Sequence, residues 1–94
     1  MMEFTLNELS SQNFAFEYKK DGEKLAEIEW IQKGDVMVMN HTYVSDVLRG
    51  QGIAKKLLDR AAEYAREKNY KMEAVCSYVV AVFERSNDYN DVKA

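Results

Sequence analysis

The chain has 94 residues, 47% of them hydrophobic and 31% charged, with a formal net charge of −3. That length predicts one domain spanning residues 1–94, and an acidic balance with Lys and Arg interleaved among Asp and Glu argues against nucleic acid as the main partner. No apolar run approaches the ~20 residues that span a bilayer, the one cysteine rules out an internal disulfide, and the opening Met1-Met2-Glu3-Phe4 lacks the basic-then-apolar order of a signal peptide. A cytoplasmic monomer with no membrane or nucleic-acid partner is expected. These numbers exclude classes without choosing a function.

Along the chain, Phe4 and Leu6 alternate over too short a span to define an element. Phe14, Phe16 and Tyr18 alternate with Ala15 and Glu17, the period of a strand. Asp21-Gly22 follows, a strong signal for a tight hairpin. Residues 25–31 form the returning strand, with Ala26, Ile28 and Trp30 on one face. Lys33-Gly34-Asp35 makes a second turn into a third strand, residues 36–44. Its apolar residues fall on both faces, so it is expected inside the sheet with cover on each side. Gly50 and Gly52 then flank Gln51, and Ile53, Leu57, Leu58, Ala61 and Ala65 recur on one helical face. A helix is predicted from about residue 51 to residue 68, with Asn69 as a left-handed stop. Residues 70–76 read as a short strand. Strand, helix and strand in that order imply a right-handed crossover between parallel strands. Ser77 suits the cap of a last helix over residues 78–85, with Val79, Val80, Val82 and Phe83 turned inward. The tail, residues 86–94, reads as polar and loosely held.

A glycine turn entering a helix leaves the first helical N–H groups without intrahelical partners and aims them at one point. With the positive end of the helix dipole they suit a phosphate or pyrophosphate, and glycine removes the Cβ atoms that would block close approach. Ligands of open α/β sheets bind beyond the carboxyl ends of the parallel strands. There this sequence gathers the glycine turn, residues 41–44 and Cys76. The only histidine, His41, and the only cysteine are therefore expected to approach one opening. Cys76 precedes a helix whose positive end would stabilise its thiolate, and His41 could serve as base or as cationic partner. The bland readings stand beside these: a buried, inert cysteine, a structural histidine, and an Arg49 that pairs on the surface. No metal is expected.

Arg49-Gly50-Gln51-Gly52-Ile53-Ala54 resembles the acyl-CoA signature of the GCN5-related N-acetyltransferases (GNAT), Gln/Arg-x-x-Gly-x-Gly/Ala, with Arg49, Gly52 and Ala54 at its defining positions. More narrowly, His41-Thr42-Tyr43-Val44, the glycine turn and Val75-Cys76-Ser77-Tyr78-Val79 resemble the small, YjdJ-like branch of that superfamily, which binds acetyl-CoA. The resemblance implies an α+β, minimal GNAT-like acyl-CoA N-acyltransferase fold. Antiparallel strands would lead into a βαβ unit with a splayed parallel strand pair and a short C-terminal helix. It implies acetyl-CoA as cofactor, with Arg49 and the backbone amides of Gly50, Gln51, Gly52, Ile53, Ala54 and Lys55 at the pyrophosphate, and the pantetheine arm along the strand edge at Tyr43 and Val44. Longer members build the acceptor site from additional early helices and a final hairpin, most of which this sequence lacks; the acceptor, a small-molecule or protein amine, stays unnamed.

Acetyl transfer is then expected by one of two routes. Either His41 helps deprotonate an amine that attacks the thioester directly, or Cys76 takes the acyl group first and passes it on; the helix-start position of Cys76 favours the second. The alternative is a non-catalytic acetyl-CoA or CoA carrier, sensor or interaction module.

Overall fold

The computed structural model describes residues 2–94. Strand β1 (Thr5–Glu8) pairs antiparallel with β2 (Asn13–Lys20), which pairs with β3 (Glu23–Lys33), which pairs with β4 (Val36–Val44). Helix α1 (Ile53–Lys68) crosses to β5 (Lys71–Ala74), which lies parallel to β4, and α2 (Ser77–Arg85) follows. The five strands form one mixed sheet in chain order, the α+β arrangement expected from the sequence. No described helix is long and apolar enough to cross a membrane.

Local chemistry explains most of these elements. Asp21 and Gly22 both have positive φ, 53° and 81°, as a two-residue hairpin turn with the right-handed twist of its strands requires. Ala26, Ile28 and Trp30 alternate onto one face of β3 and are buried with Phe16, Met37 and Met39. Against that face α1 lays Ile53, Leu57, Leu58, Ala61, Ala62 and Ala65. Asn69 ends α1 in the left-handed conformation, its N–H bonded to Ala65 and Arg66 carbonyls. In β1, alternation is too short to announce a strand; its ladder with β2 sets it, in a register that puts Leu6 opposite Phe16 and leaves Leu6 exposed.

Five expectations change. The expected two-sided cover of β4 is absent: residues of both helices, Val79, Val82 and Phe83 of α2 included, join one core cluster with Met37 and Met39, while His41 and Tyr43 are exposed. Helix α1 begins at Ile53, with Gly52 as its left-handed N-cap, rather than near Gln51. β5 stops at Ala74, and Cys76, not Ser77, is the N-cap residue of α2. The tail is docked rather than loose. Tyr89 and Val92 are each 2% exposed, Lys93 forms a bridge to Met72, and Asp91 accepts from Arg66 at 2.7 Å. Two apolar side chains three residues apart in a polar stretch suffice to seat it on the core.

Candidate active site

The parallel pair carries the opening. Pairing of β4 with β5 ends at Met39 opposite Ala74. The N–H groups of Val75 and Cys76 then converge on the Met39 carbonyl, at 3.1 and 2.8 Å. From there the chain turns into α2, while β4 continues to Val44 paired only with β3. The β5-facing backbone groups of residues 40–44 therefore lack a strand partner among the described residues, and the two strands splay as expected.

At the far end of that free edge lies the glycine turn. Ser45 bonds back to the Leu25 carbonyl at 2.7 Å, and its side chain accepts from Val47 N–H at the start of a single 3-10 turn, Asp46–Leu48. Gly50 and Gly52 then take φ of 82° and 67°, conformations that L side chains enter only with strain. The first intrahelical bond of α1 runs from Lys56 N–H to the Gly52 carbonyl at 3.2 Å. The N–H groups of Ile53, Ala54 and Lys55 consequently have no intrahelical acceptor. Ile53 and Ala54 line a cleft of ≈ 370 Å³ together with Val44, Ser45, Leu48, Gly50 and Gly52. Gln51 is exposed beside it.

One cation, Arg49, lines the cleft, and a second, Lys55, follows its last lining residue, Ala54, in sequence. Arg49, with a side chain 78% exposed, pairs with Asp46 at 2.7 Å on the surface. Lys55 pairs with Asp59 at 2.9 Å, a carboxylate that raises the lysine above its ordinary value, first through their hydrogen bond. The Tyr89 hydroxyl donates to the other Asp59 oxygen, so the docked tail reaches the first turns of α1.

Cys76 Sγ lies 3.5 Å from Thr42 Oγ1. Burial alone would push its thiol up, yet the Thr42 hydroxyl and the backbone N–H groups of Val79 and Tyr78 outweigh it and hold the thiol below its ordinary value. None of these completes a side-chain cap by hydrogen-bond geometry.

His41 is not brought to Cys76. A register shift opposes Glu29 to His41 and Trp30 to Met39, leaving Asn40 as the extra residue of a β-bulge. Without it, His41 would continue the face of Met37 and Met39. With it, Thr42 and Val44 take the helix-covered side, opposite Ile28 and Ala26, and His41 and Tyr43 point to the open side. There His41 Nε2 stands 3.6 Å from Glu27 Oε2 and 3.8 Å from Glu29 Oε2. Glu27 and Glu29 were not candidates on sequence grounds; the only signal is their alternation with Ile28, which marks them as outward-facing.

Comparison with known proteins gives these features a context. The family model described as GCN5-related N-acetyl-transferase matches residues 13–92. A GCN5-like N-acetyltransferase candidate from Staphylococcus aureus, solved by solution NMR, shares 34% identity at a TM-score of 0.72, covering 100% of this chain and 91% of that one. A ribosomal-protein-alanine N-acetyltransferase from Brucella melitensis shares 22% identity at a TM-score of 0.65, with 81% of this chain and 62% of that one covered. An aminoglycoside 6′-N-acetyltransferase complexed with coenzyme A shares 16% identity at a TM-score of 0.55, covering 65% and 35% respectively. At those last two identities the likeness is one of fold.

Proposed function

The chain belongs to the GCN5-related N-acetyltransferase family, and from that premise we propose that it binds acetyl-CoA across the splayed edge of β4 and transfers the acetyl group to an amine. The observation that carries this reading is the end of β4–β5 pairing at Met39, five residues before β4 itself ends. An extended amide chain such as pantetheine adds to such an edge by main-chain hydrogen bonds, as a strand would. Tyr43 and Val44 are the residues it meets last. Beyond them the diphosphate reaches the amides of Gly50, Gln51, Gly52, Ile53, Ala54 and Lys55, where partial positive charge and left-handed glycines favour a bound anion. Arg49 and Lys55, now on Asp46 and Asp59, are near enough in sequence to turn to the phosphates.

The thioester then lies toward the apex of the splay, between Met39 and Cys76. Direct attack by an amine is the simpler route. The lowered Cys76 thiol supports a second, in which the thiolate takes the acetyl group first.

The cofactor assignment is tested by titrating ¹⁵N-labelled protein with acetyl-CoA, CoA and ATP. Amide signals of residues 40–44 and 50–55 should move with the first two, and residues 40–44 should stay in place with ATP, which has phosphates but no pantetheine. If neither group moves with acetyl-CoA, the reading is wrong.

A further inference from the structure

Resting on that reading of the acyl donor, we infer that Thr42 and Cys76 set the length of acyl group the chain accepts. Together they close the helix-covered side of the splay, so that a two-carbon acyl group is held and a longer one is turned away. Main chain and side chains disagree there. Neighbouring strands lie about 4.8 Å apart where they pair, and beyond Met39 and Ala74 the backbones of β4 and β5 no longer do so. Cys76 is two residues past that last pair and Thr42 three residues past it on the other strand. Their side chains nevertheless meet, Sγ standing 3.5 Å from Oγ1. A sulfur and an oxygen at that separation are in contact, and no carbon passes between them. The gap that the strands open is thus floored by two side chains.

Neither side chain has room to retreat. Cys76 is fixed through its backbone: its N–H is bonded to the Met39 carbonyl at 2.8 Å, and its own carbonyl accepts from Val80 at 3.0 Å as α2 begins. Its side chain packs on the core cluster, in which Met39 and Val79 are fully buried. Thr42 stands opposite Ile28 of β3, which is buried to the same degree, and a β-branched side chain in a strand has few rotamers to choose from. Interiors packed in this way yield little, and a methylene forced into them is penalised. The limit is therefore one of volume.

Thr42 is the adjustable half of the pair. Replacing it by alanine removes two non-hydrogen atoms, Oγ1 and Cγ2, the same number that butyryl adds to acetyl. Thr42→Val exchanges the hydroxyl for a methyl and keeps the volume. The two variants therefore separate a limit set by size from any influence of the hydroxyl on the Cys76 thiol.

The test is calorimetric titration of the full chain with CoA, acetyl-CoA and butyryl-CoA. It is read as the ratio of butyryl-CoA to acetyl-CoA affinity within each variant, so that any change in coenzyme binding itself cancels. The parent should bind butyryl-CoA at least tenfold more weakly than acetyl-CoA. Thr42→Ala should bring the two within about threefold, and Thr42→Val should keep the parent's preference. Thr42→Ser, which removes only the methyl, should fall between them, and its contrast with Thr42→Val carries the same decision if the alanine variant does not fold. The Thr42 methyl NMR signal should also move further with acetyl-CoA than with CoA, since only the thioester brings carbons beside it. Equal binding of both thioesters by the parent would overturn the assignment. So would alanine and valine variants with the same ratio, or a Thr42 methyl that answers CoA and acetyl-CoA alike. If CoA itself does not bind, the donor reading falls and takes this limit with it; with CoA bound, every other outcome bears on Thr42 and Cys76 alone.

Discussion

Cys76 shows how a single side chain is tuned by opposing neighbours. Partial burial disfavours its thiolate, while the Thr42 hydroxyl and the amides at the head of α2 favour it, and the favourable set prevails. A thiol held low is ionised at a lower pH than a free cysteine, so its nucleophilic form is present on the acid side of the ordinary thiol range. If it accepts the acetyl group, incubation with acetyl-CoA should add one acetyl to the Cys76 peptide, seen by mass spectrometry. Half-maximal labelling should fall at a pH below that of free cysteine. Thr42→Val removes the hydroxyl and should move that midpoint upward. Absence of any adduct on the parent protein, with acetyl-CoA bound, leaves direct transfer as the route. The sequence announced Cys76 at a helix start because that relation is local. The position of His41 was not legible in the same way. Met37, Met39 and His41 have the same parity, and only the bulge at Asn40, set by pairing with β3, turns His41 to the other face.

Among the elements, the glycine turn was the most legible, because its requirements are short-range. Gly50 and Gly52 occupy positive φ, and a Cβ built on either meets no atom within 4 Å. Space is therefore not what excludes a side chain; backbone strain is, and so is the ligand that the turn is proposed to cradle. Gly52→Ala should lower folding stability by roughly 1 kcal/mol, the cost of placing an L residue in the left-handed region. Its effect on CoA binding should be larger, at least tenfold in calorimetry, since the new methyl stands at the N-cap where the phosphates approach. An equal, small effect on both would mean that the turn only bends the chain. The splay and β1 were less legible for a common reason. Where β5 leaves β4, and whether residues 5–8 pair, depend on partners far along the chain, and four-residue strands carry too little alternation to reveal them.

At the scale of the whole molecule, the tail decides how much core so short a chain can close. Small domains bury a smaller share of their surface and have little stability to spare. The sequence made residues 86–94 look loosely held because polar residues dominate, but Tyr89 and Val92 sit in the same cluster as Leu57, Met72 and Phe83. Their burial contributes about 1.5–3 kcal/mol each, whereas the exposed Arg66–Asp91 pair is screened by solvent and adds little. The Tyr89 phenol, pushed up to about 12 by burial and then by its bond to Asp59, stays a neutral donor at every pH below that value. Because its folded value is raised, its contribution is fully present below the unfolded value near 10 and fades as pH rises toward 12. Removing residues 88–94 should therefore lower the stability measured by urea unfolding by roughly 3–6 kcal/mol, a large share of the total. Tyr89→Phe keeps the ring and loses only the hydroxyl, so it should cost about 1 kcal/mol and should flatten the stability loss between pH 10 and 12. Asp59 binds both Tyr89 and Lys55, which ties the tail to the first turn of α1, where the diphosphate is proposed to bind. Saturating acetyl-CoA should then raise the unfolding midpoint of the full chain by mass action and rescue the truncated one less, because Asp59, the partner of Lys55, is no longer fixed by Tyr89. Equal rescue of both would show that the tail serves the core alone.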